Sequence, residues 1–323
     1  MRILAIVPYG DSYKNRFHFA YRQMEALEKH GVEVEIFELK SRFNPKVLIL
    51  EYLRFLQVKK TFKPDIVHAH FGSMTSFFSV LNTLPKVVCF RGSDINHNPA
   101  VTPLRESIAH LLSHLSTFFA ARVFCVSEEI LSKLKCEKSK ALIVPDGVNE
   151  AEFYPKSKSE SRSKLGLDQT KKIILFNAGS NPRIKRFDLA EAVVQKVRLK
   201  YADLEFIVFR GDIPAEVIPD YMNAADVLLL TSDSEGSPVV VKEAASCGLP
   251  VVSFEVGDTK NILQDKRFSH VVKDRNLDEM ASETIRLLTE TSDLRTSYLP
   301  IEYSSEHISK TIIQQYKEIT CAR

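Results

Sequence analysis

Short apolar runs rich in β-branched and aromatic residues alternate along this 323-residue chain with segments of helical character. The alternation predicts parallel sheets, because parallel strands need a long crossover connection and a helix usually supplies it. In the first half the predicted strands read ILAIVP, VEVEIFEL, DIVHAHF, KVVCFRG, RVFCVS and ALIVPDGV. In the second half they read KIILFNAG, LEFIVFRG, DVLLLTS, PVVSFEV and SHVVK. The sequence therefore predicts an α/β protein with two parallel sheets.

The segment between the two groups of strands, EAEFYPKSKSESRSKLGL, is polar, charged and poor in helix at its start. This composition is typical of a linker, so we expect a first domain over residues 1–155 and a second over 156–303. The remaining residues, 304–323, are predicted to form a helix. Open parallel sheets bind ligands beyond the carboxyl ends of their strands, so the loops of the two domains are expected to face a cleft.

The composition, 44% hydrophobic and 26% charged, indicates a soluble globular protein. Its five cysteines are scattered without a CxxC pair, which favours neither a disulfide framework nor a zinc site. A reducing cytoplasm is the expected setting. The start MRILAIVPYG is typical of a first strand and not of a signal peptide. No apolar stretch approaches the roughly 20 residues that a membrane-spanning helix needs.

The formal net charge of +3 is too small to favour a nucleic-acid partner, but its distribution is uneven. Lys and Arg minus Asp and Glu gives 20 − 15 = +5 for residues 1–150 and 24 − 26 = −2 for the rest. The segments 47–63 and 103–120 are apolar helices with some basic positions. Two interpretations are open: peripheral contact with the inner face of an anionic membrane, or packing against a core. Packing is favoured, because amphipathic helices are mostly core elements.

The stretch EGSPVVVKEAASCGLP, in the second half of the chain, has the signals of a short helix. Ser237 is a natural N-cap, and Pro238 suits the first helical position, where its missing N–H costs nothing. The helix is predicted to run to about Cys247. Gly248 and Pro250 then end it.

Two carboxylates flank this helix start: Glu235 precedes it, and Glu243 lies two turns into it. The free N–H groups of residues 239–241 and the positive end of the helix dipole would together form an anion site. An acid at that place is better suited to accept hydrogen bonds from hydroxyls of the molecule that carries the phosphate. From spacing alone, a loop glutamate and a solvated helix glutamate beside Lys242 remain an equal alternative.

The spacing Glu-x7-Glu, the Gly after the first Glu, and the run LLLTSDSEGSPVVVKEAASCGLPVVS resemble the nucleotide-sugar site of family 4 retaining glycosyltransferases, the glycosyl transferases group 1. The resemblance implies that Glu235 contacts the donor sugar and takes part in catalysis, and that Glu243 holds the ribose. The turn formed by Gly236, Ser237, Pro238 and Val239 would hold the diphosphate. It also implies the GT-B fold: two Rossmann-like domains facing a central cleft, with a C-terminal helix crossing back to the first domain.

The loop GSNPRIKRFDLA follows a predicted strand and presents several cations before a helix. Gly179 allows close backbone approach, and two of the charges on Arg183, Lys185 and Arg186 would neutralise a diphosphate leaving group. A solvated basic loop is the alternative. By resemblance, Lys185 matches the family's diphosphate-binding Lys. The family's Arg is Ser180 in this chain, and Arg183 is the candidate to replace its charge.

The family usually has a strand, a helix and a strand where this chain passes from FIVFRG almost directly into a helix. A unit is therefore missing, and the wall that would hold the nucleotide base is expected to be exposed. Arg210, Gly211 and Ile213 are the nearest candidates for base contacts. Uracil and guanine both remain open.

The first domain departs further from the family. The family's glycine-rich first loop is reduced to Gly10, a candidate for acceptor binding. A family motif that often reads His-Gly-Ser-Asp is Arg91, Gly92, Ser93 and Asp94 here. The resemblance assigns Arg91 and Asp94 to catalysis. Arg91 stays protonated and cannot act as a general base, but it would suit a phosphate or an acidic acceptor.

His68 and His70 are two residues apart at the end of a predicted strand and should therefore share one face. They are candidates for acceptor binding, with structural hydrogen bonding as the alternative for at least one. Their spacing gives no third ligand, so no metal site is predicted.

The resemblance implies transfer of a sugar, with retention, from a nucleoside diphosphate sugar to a hydroxyl of a glycan or lipid-linked acceptor. A role in surface polysaccharide synthesis is expected, with no cofactor and no nucleic-acid partner. Two alternatives remain: a non-catalytic nucleotide-binding scaffold, and a GT-B phosphorylase or epimerase. A dinucleotide-dependent oxidoreductase is disfavoured, because no GxGxxG follows a strand.

Overall fold

The computed structural model describes residues 1–9, 17–92, 94–97, 101–135, 138–179, 182–290 and 295–321. Three residues named above, Gly10, Ser93 and Ser180, lie outside this part of the chain. The contacts divide the chain into two compact units. The first unit comprises residues 1–147 and 305–323, and the second comprises 148–304.

The first unit contains a parallel sheet with the strand order β2-β1-β3-β4-β5-β6. Its strands are β1 (Arg2–Pro8), β2 (Glu33–Leu39), β3 (Ile66–Ala69), β4 (Lys86–Phe90), β5 (Arg122–Cys125) and β6 (Ala141–Ile143). The helices between them are α1 (His18–Lys29), α2 (Pro45–Phe62), α3 (Ser73–Val80), α4 (Pro103–Phe119) and α5 (Glu128–Lys133).

The second unit contains a parallel sheet with the order β11-β10-β9-β7-β8. Its strands are β7 (Ile173–Asn177), β8 (Glu205–Phe209), β9 (Val227–Leu230), β10 (Val251–Phe254) and β11 (Ser269–Val272). Its helices are α6 (Lys158–Leu165), α7 (Pro182–Lys185), α8 (Phe187–Arg198), α9 (Ile218–Ala224), α10 (Val239–Ser246), α11 (Thr259–Ile262) and α12 (Leu277–Glu290). Every strand predicted from the sequence is confirmed.

After the second unit the chain returns to the first as α13 (Ser305–Cys321). Ile312 and Tyr316 of α13 are fully buried beside strand residues of the first sheet, and the helix also contacts α1. The predicted return of the C-terminal helix to the first domain is thus confirmed. At the crossover, Val148 and Ser304 form a β-bridge, so the two ends of the second unit lie side by side.

The prediction of a linker at residues 150–167 is wrong. Phe153 is fully buried in a core cluster of the second unit. Arg162 of α6 is buried too, and its guanidinium donates to the carboxylate of Asp226 at 2.8 Å and to the carbonyl of Ala224 at 2.9 Å. Because this charge is satisfied inside the unit, a segment of polar composition packs as part of the fold, and the predicted boundary at residue 155 falls within it.

The favoured interpretation of α4, that its apolar side packs against the core, is also wrong. The helix buries Ser113, Ser116 and Thr117, whose hydroxyls donate to backbone carbonyls. Its large apolar residues are exposed instead, and they follow helical spacing: Leu104, Ile108, Leu111, Leu115 and Phe118. Small hydroxyl residues allow α4 to approach α3 closely, so the leucine-rich side faces outward.

Helix α2 shows a similar outward face. It buries Glu51 and Phe55, and it exposes a set of aliphatic residues, namely Ile49, Leu50, Leu53 and Leu56. In the described part of the chain, no helix has the length and apolar character needed to cross a membrane. The two exposed faces therefore lie on helices of the folded first unit.

Candidate donor site

The helix predicted in the second unit is present as α10 and begins one residue later than expected. Pro238, not Ser237, is its N-cap residue. Ser237 fails as an N-cap because its hydroxyl donates to the carboxylate of Asp258 at 2.6 Å. The amide of Val241 donates to the carbonyl of Pro238 at 3.1 Å, so it is used within the first turn. Gly248, with a φ of 68°, follows the helix as predicted.

Glu235 and Lys185 come from separate loops, and the structure brings them together. The Lys185 ammonium lies 2.6 Å from the Glu235 carboxylate, which also accepts a hydrogen bond from the Ser232 hydroxyl at 2.6 Å. The Thr231 hydroxyl contacts the carbonyls of Lys185 and Arg186, each at 2.9 Å, and this holds the basic loop against the end of β9. The predicted sugar-binding acid and the predicted phosphate-binding base therefore form one cluster.

The neighbouring cations of the basic loop are placed differently. Arg183 is exposed on α7. Arg186 is bound to carboxylates, with distances of 2.8 Å to Asp188 and 3.2 Å to Asp233, and these hydrogen bonds raise its pKa. Arg183 thus remains the candidate for a second phosphate contact, whereas Arg186 stabilises the loop. The amide of Gly179 donates to the side chain of Asn177 at 3.0 Å, which anchors the start of the loop at the end of β7.

The turn at Gly236 rests on a glycine that sequence reasoning missed. Gly257 has a φ of 56°, and a Cβ at that position would lie 2.8 Å from the Gly236 carbonyl oxygen and 3.1 Å from that of Glu235. Only a residue without a side chain fits both the left-handed conformation and this approach. The only sequence signal is a glycine just after a strand.

Glu243 is 7% exposed, so its interpretation as a solvated helix residue is wrong. The adjacent Lys242 is completely buried. Its ammonium donates to the Ser237 hydroxyl at 2.8 Å, and Ser237 in turn donates to Asp258. Burial raises the pKa of Asp258, although Lys242 and the hydroxyl bond oppose that rise. Sequence reasoning singled out neither Lys242 nor Asp258, because a lysine beside a glutamate is typical of a helix surface.

The predicted base-binding region follows β8, the edge strand, which pairs with β7 alone among the described strands. One short 3-10 turn and α9 connect β8 to β9, in agreement with the predicted loss of a unit. The Arg210 guanidinium lies 4.9 Å from the centre of the Phe187 ring, and Ile213 packs partly buried against the core. Residues 205–208 of β8 are only partly buried, so this edge of the sheet is accessible.

In the first unit, Asp94 lies inside the protein and binds backbone amides. Its carboxylate accepts hydrogen bonds from the N–H groups of Gly72 at 2.9 Å, Gly92 at 2.8 Å and Arg91 at 3.1 Å. Burial raises its pKa, and these amides oppose the rise. A Cβ on Gly72 would lie 2.9 Å from that of Asp94 and 2.6 Å from the Ser113 hydroxyl oxygen. Asp94 therefore joins the loops after β3 and β4.

Arg91 is also held by neighbours within the first unit. Its guanidinium pairs with Asp146, donates to the Gln23 side chain at 3.2 Å and lies 4.2 Å from the centre of the Phe19 ring. Only 5% of the side chain is exposed. This environment gives the guanidinium an internal structural role and leaves it little surface for the phosphate or acidic acceptor predicted from the sequence.

His68 and His70 share a face, as predicted, with ring centres 4.0 Å apart. Both are fully buried, so neither ring is presented to an acceptor in this structure. His68 Nδ1 lies 2.6 Å from the Tyr316 hydroxyl, and His70 Nδ1 lies 3.2 Å from the Arg91 guanidinium. Burial, with a contribution from Arg91, lowers the pKa of His68 to about 3, and burial holds that of His70 well below its ordinary value. Both rings are neutral at pH 7.

No group of three or more His, Cys, Asp and Glu side chains in the described ranges is arranged to hold a metal ion. The cysteines described there, Cys89, Cys125, Cys247 and Cys321, are free thiols.

Comparison with known proteins agrees with this architecture. The model of the family "Glycosyl transferases group 1" matches residues 166–290, a range that includes α10 and the cluster around Glu235. The putative teichuronic acid biosynthesis glycosyltransferase TuaC of Bacillus subtilis (strain 168) is 26% identical over 288 residues. That match covers 80% of this chain and 71% of TuaC.

Two solved structures show the same fold over the whole chain. Sucrose-phosphate synthase from Thermosynechococcus elongatus has a TM-score of 0.80 at 16% identity, with 100% of each chain covered. Anabaena Alr3699/HepE, solved in complex with UDP and glucose, has a TM-score of 0.66 at 17% identity, with 100% of this chain and 99% of that chain covered.

A parallel sheet in each of two units and a C-terminal helix that returns to the first unit define the GT-B fold. Residues 166–290 match the model of the group 1 glycosyltransferases, and the chain is similar over most of its length to TuaC, a relative named as a putative glycosyltransferase.

Proposed function

We propose that this enzyme transfers a sugar, with retention at the anomeric carbon, from a nucleoside diphosphate sugar to a hydroxyl of a glycan or lipid-linked acceptor. The observation that carries the proposal is the cluster of Glu235 and Lys185 beside the start of α10, with Glu243 buried further along the same helix. A carboxylate for hydroxyls and a cation for phosphate, held 2.6 Å apart, suit the two halves of one donor molecule.

In this proposal each group of the second unit has a separate task. Glu243 accepts hydrogen bonds from the ribose, and Glu235 accepts them from the sugar. Lys185, Arg183 and the turn that begins at Gly236 bind the diphosphate. As the bond between sugar and phosphate breaks, these positive groups stabilise the charge that collects on the leaving group.

Retention follows in this proposal from attack on the face that the leaving group vacates. The acceptor oxygen bonds to the anomeric carbon as the carbon–phosphate oxygen bond breaks, and the acceptor proton passes to the leaving phosphate. No cofactor or metal ion takes part. We assign Arg91 and Asp94 a supporting task, the holding of loop ends in the first unit, because their side chains are buried and occupied.

The proposals for the donor and for the acceptor are supported by different observations. HepE was solved with UDP, which favours a nucleoside diphosphate donor. Uracil and guanine are both candidates for the base of that donor. The name of TuaC places that relative in teichuronic acid biosynthesis, which favours a surface polysaccharide as the product. Arg210 and Ile213, after the edge strand β8, are the proposed contacts of the base.

Thermal unfolding in the presence of UDP and GDP tests the donor site. A ligand at about 100 times its Kd should stabilise the folded enzyme by about 2.7 kcal/mol, because it binds only the folded state. Glu243→Ala should abolish the shift of the matching nucleotide, whereas Glu191→Ala, an exposed glutamate on α8, should preserve it. No shift with either nucleotide would contradict the donor assignment and favour a scaffold.

Peripheral contact with an anionic membrane is a further part of the proposal. The exposed aliphatic faces of α2 and α4 belong to the same unit, and the Arg105 guanidinium of α4 lies 3.8 Å from the centre of the Phe43 ring just before α2. Exposed Lys46 and Lys60 flank the apolar residues of α2. Apolar residues bordered by cations are typical of helices that lie in a lipid headgroup layer.

Co-sedimentation with vesicles tests this contact. The enzyme should bind vesicles containing phosphatidylglycerol more strongly than vesicles of phosphatidylcholine alone, and added salt should weaken the binding. Leu111→Glu should reduce it, and Leu199→Glu, which changes an exposed leucine of the second unit, should not. Equal binding by both variants, or loss of a dimer instead of vesicle binding in Leu111→Glu, would overturn the membrane contact.

A further inference from the structure

Lys242 is a buried cation whose position the fold alone does not explain. Lysine is rarely buried completely, yet this side chain has no exposed surface. Its ammonium donates to the Ser237 hydroxyl at 2.8 Å and lies 5.5 Å from the centre of the Tyr303 ring. The Ser237 hydroxyl in turn donates a hydrogen bond to the Asp258 carboxylate at 2.6 Å. A charged chain of hydrogen bonds therefore runs beneath the start of α10.

The direction of this cation is unfavourable for the helix itself. Side chains in a helix lean toward its N-terminus, so the ammonium of Lys242, in the first turns of α10, is carried back to the helix start. That end already has the positive pole of the helix dipole, where a cation is destabilising and an anion is stabilising. Asp258 opposes this charge only in part, since burial makes its own ionisation less favourable. An anion bound above the turn would be stabilised both by the ammonium of Lys242 and by the positive end of the helix dipole.

The same chain of contacts supports the turn from two sides. Ser237 belongs to the turn, and the Lys242 ammonium fixes its hydroxyl from within the helix. Asp258 fixes the same hydroxyl from the loop after β10, where the preceding Gly257 lies against the backbone of Gly236. Removal of the lysine would leave the hydroxyl held by Asp258 alone, and would leave Asp258 without its nearby cation.

We propose that Lys242 is a positioning residue of the donor site, which holds the Ser237 turn in place and supplies positive potential beneath the diphosphate. The inference deepens the proposed function and rests on it. It assigns Lys242 no contact with the donor: the side chain acts through Ser237 and through its charge. Its effect should therefore grow with the charge of the ligand.

Calorimetric titration with a nucleoside, its monophosphate and its diphosphate tests this inference, using the base that stabilises the wild type. Lys242→Met keeps the length of the side chain and removes the charge. It should raise the Kd of the diphosphate roughly 10-fold or more, with a smaller rise for the monophosphate and a change of less than about 2-fold for the nucleoside. Lys260→Met, an exposed lysine on α11, is the matched control and should change none of the three.

Ser237→Ala guards against an effect of misfolding, because it keeps the buried cation and removes only the hydroxyl between Lys242 and Asp258. It should weaken diphosphate binding less than Lys242→Met does, at an unfolding midpoint close to the wild type. A uniform loss for all three ligands would show a merely structural lysine and overturn the inference. An unchanged diphosphate Kd would overturn it while the donor site stands. A wild type that binds no nucleoside diphosphate would refute the donor site itself, and the inference with it.

Discussion

The two units place polar residues at the carboxyl ends of parallel strands, but they use them in opposite ways. In the second unit, Glu235 and Lys185 are partly exposed and paired with each other across two loops. In the first unit, Arg91, Asp94 and the strand-end histidines are buried, and each of them contacts a polar neighbour in the same unit. The same location in a fold therefore holds the proposed donor site in one unit and an internal polar cluster in the other. The two groups of polar residues differ in the burial of their side chains, and not in their place at the strand ends.

The largest effect should come from breaking the internal network of the first unit. Asp94→Ala would leave the buried amides of Gly72, Arg91 and Gly92 without their acceptor, at about 1–3 kcal/mol each. We expect the free energy of unfolding, measured in urea, to fall by at least about 3 kcal/mol. Asp65→Ala removes an acceptor for one exposed amide, that of Arg2, and should cost far less. Equal losses would remove the contrast between the units.

A substitution in the cluster of the second unit should lower activity and change stability little. Lys185→Ala should lower kcat/KM by about 10²–10³-fold, because a cation would no longer face the charge that forms on the leaving group. The free energy of unfolding should change by less than about 1 kcal/mol, since the pair with Glu235 is partly exposed. Lys196→Ala, which breaks a more exposed pair with Asp278, should leave both quantities near the wild type. A stability loss that accounts for the lost activity would argue against a catalytic site.

A third contrast, smallest for any single step in pH, concerns the dependence of stability on pH. His68 has a folded pKa of about 3 against an ordinary value of 6.5, so the unfolded chain binds the extra proton between these values. The stability from its neutral ring is complete above pH 6.5 and is lost as pH falls toward 3. This histidine should contribute a slope of up to about 1.4 kcal/mol per pH unit within that window.

Urea unfolding at several pH values measures this slope. His68→Gln should reduce it, whatever its effect on overall stability, and the exposed His30→Gln should leave it unchanged. An unaltered slope in His68→Gln would show that the ring is not kept neutral by burial.

The strands and the donor loops were predictable because they depend on local patterns. A fully buried parallel strand is a short continuous apolar run, and every such run predicted here is a strand. Glycine and proline marked the end of α10 for a similar reason: their backbone preferences are intrinsic. The proximity of Lys185 and Glu235 followed from the resemblance to a family and not from spacing.

The remaining features depend on partners distant in sequence. Ser237 looks like an N-cap until Asp258 comes within reach of its hydroxyl. The serines of α4 look like its surface until Gly72 allows α3 to approach them. The buried lysine of α10 reads as a solvated residue for the same reason. Side-chain burial is decided by the neighbour across the interface, and a single sequence does not name that neighbour.

The bridge between Val148 and Ser304 has a consequence for how the protein is made. Because its two ends meet, the second unit is one continuous insertion that is complete when synthesis reaches residue 304. The first unit is divided, and Tyr316 of α13 fills its core only after the insertion has been synthesised. On the ribosome, the first unit therefore acquires the core element α13 only after the whole of the second unit has been translated.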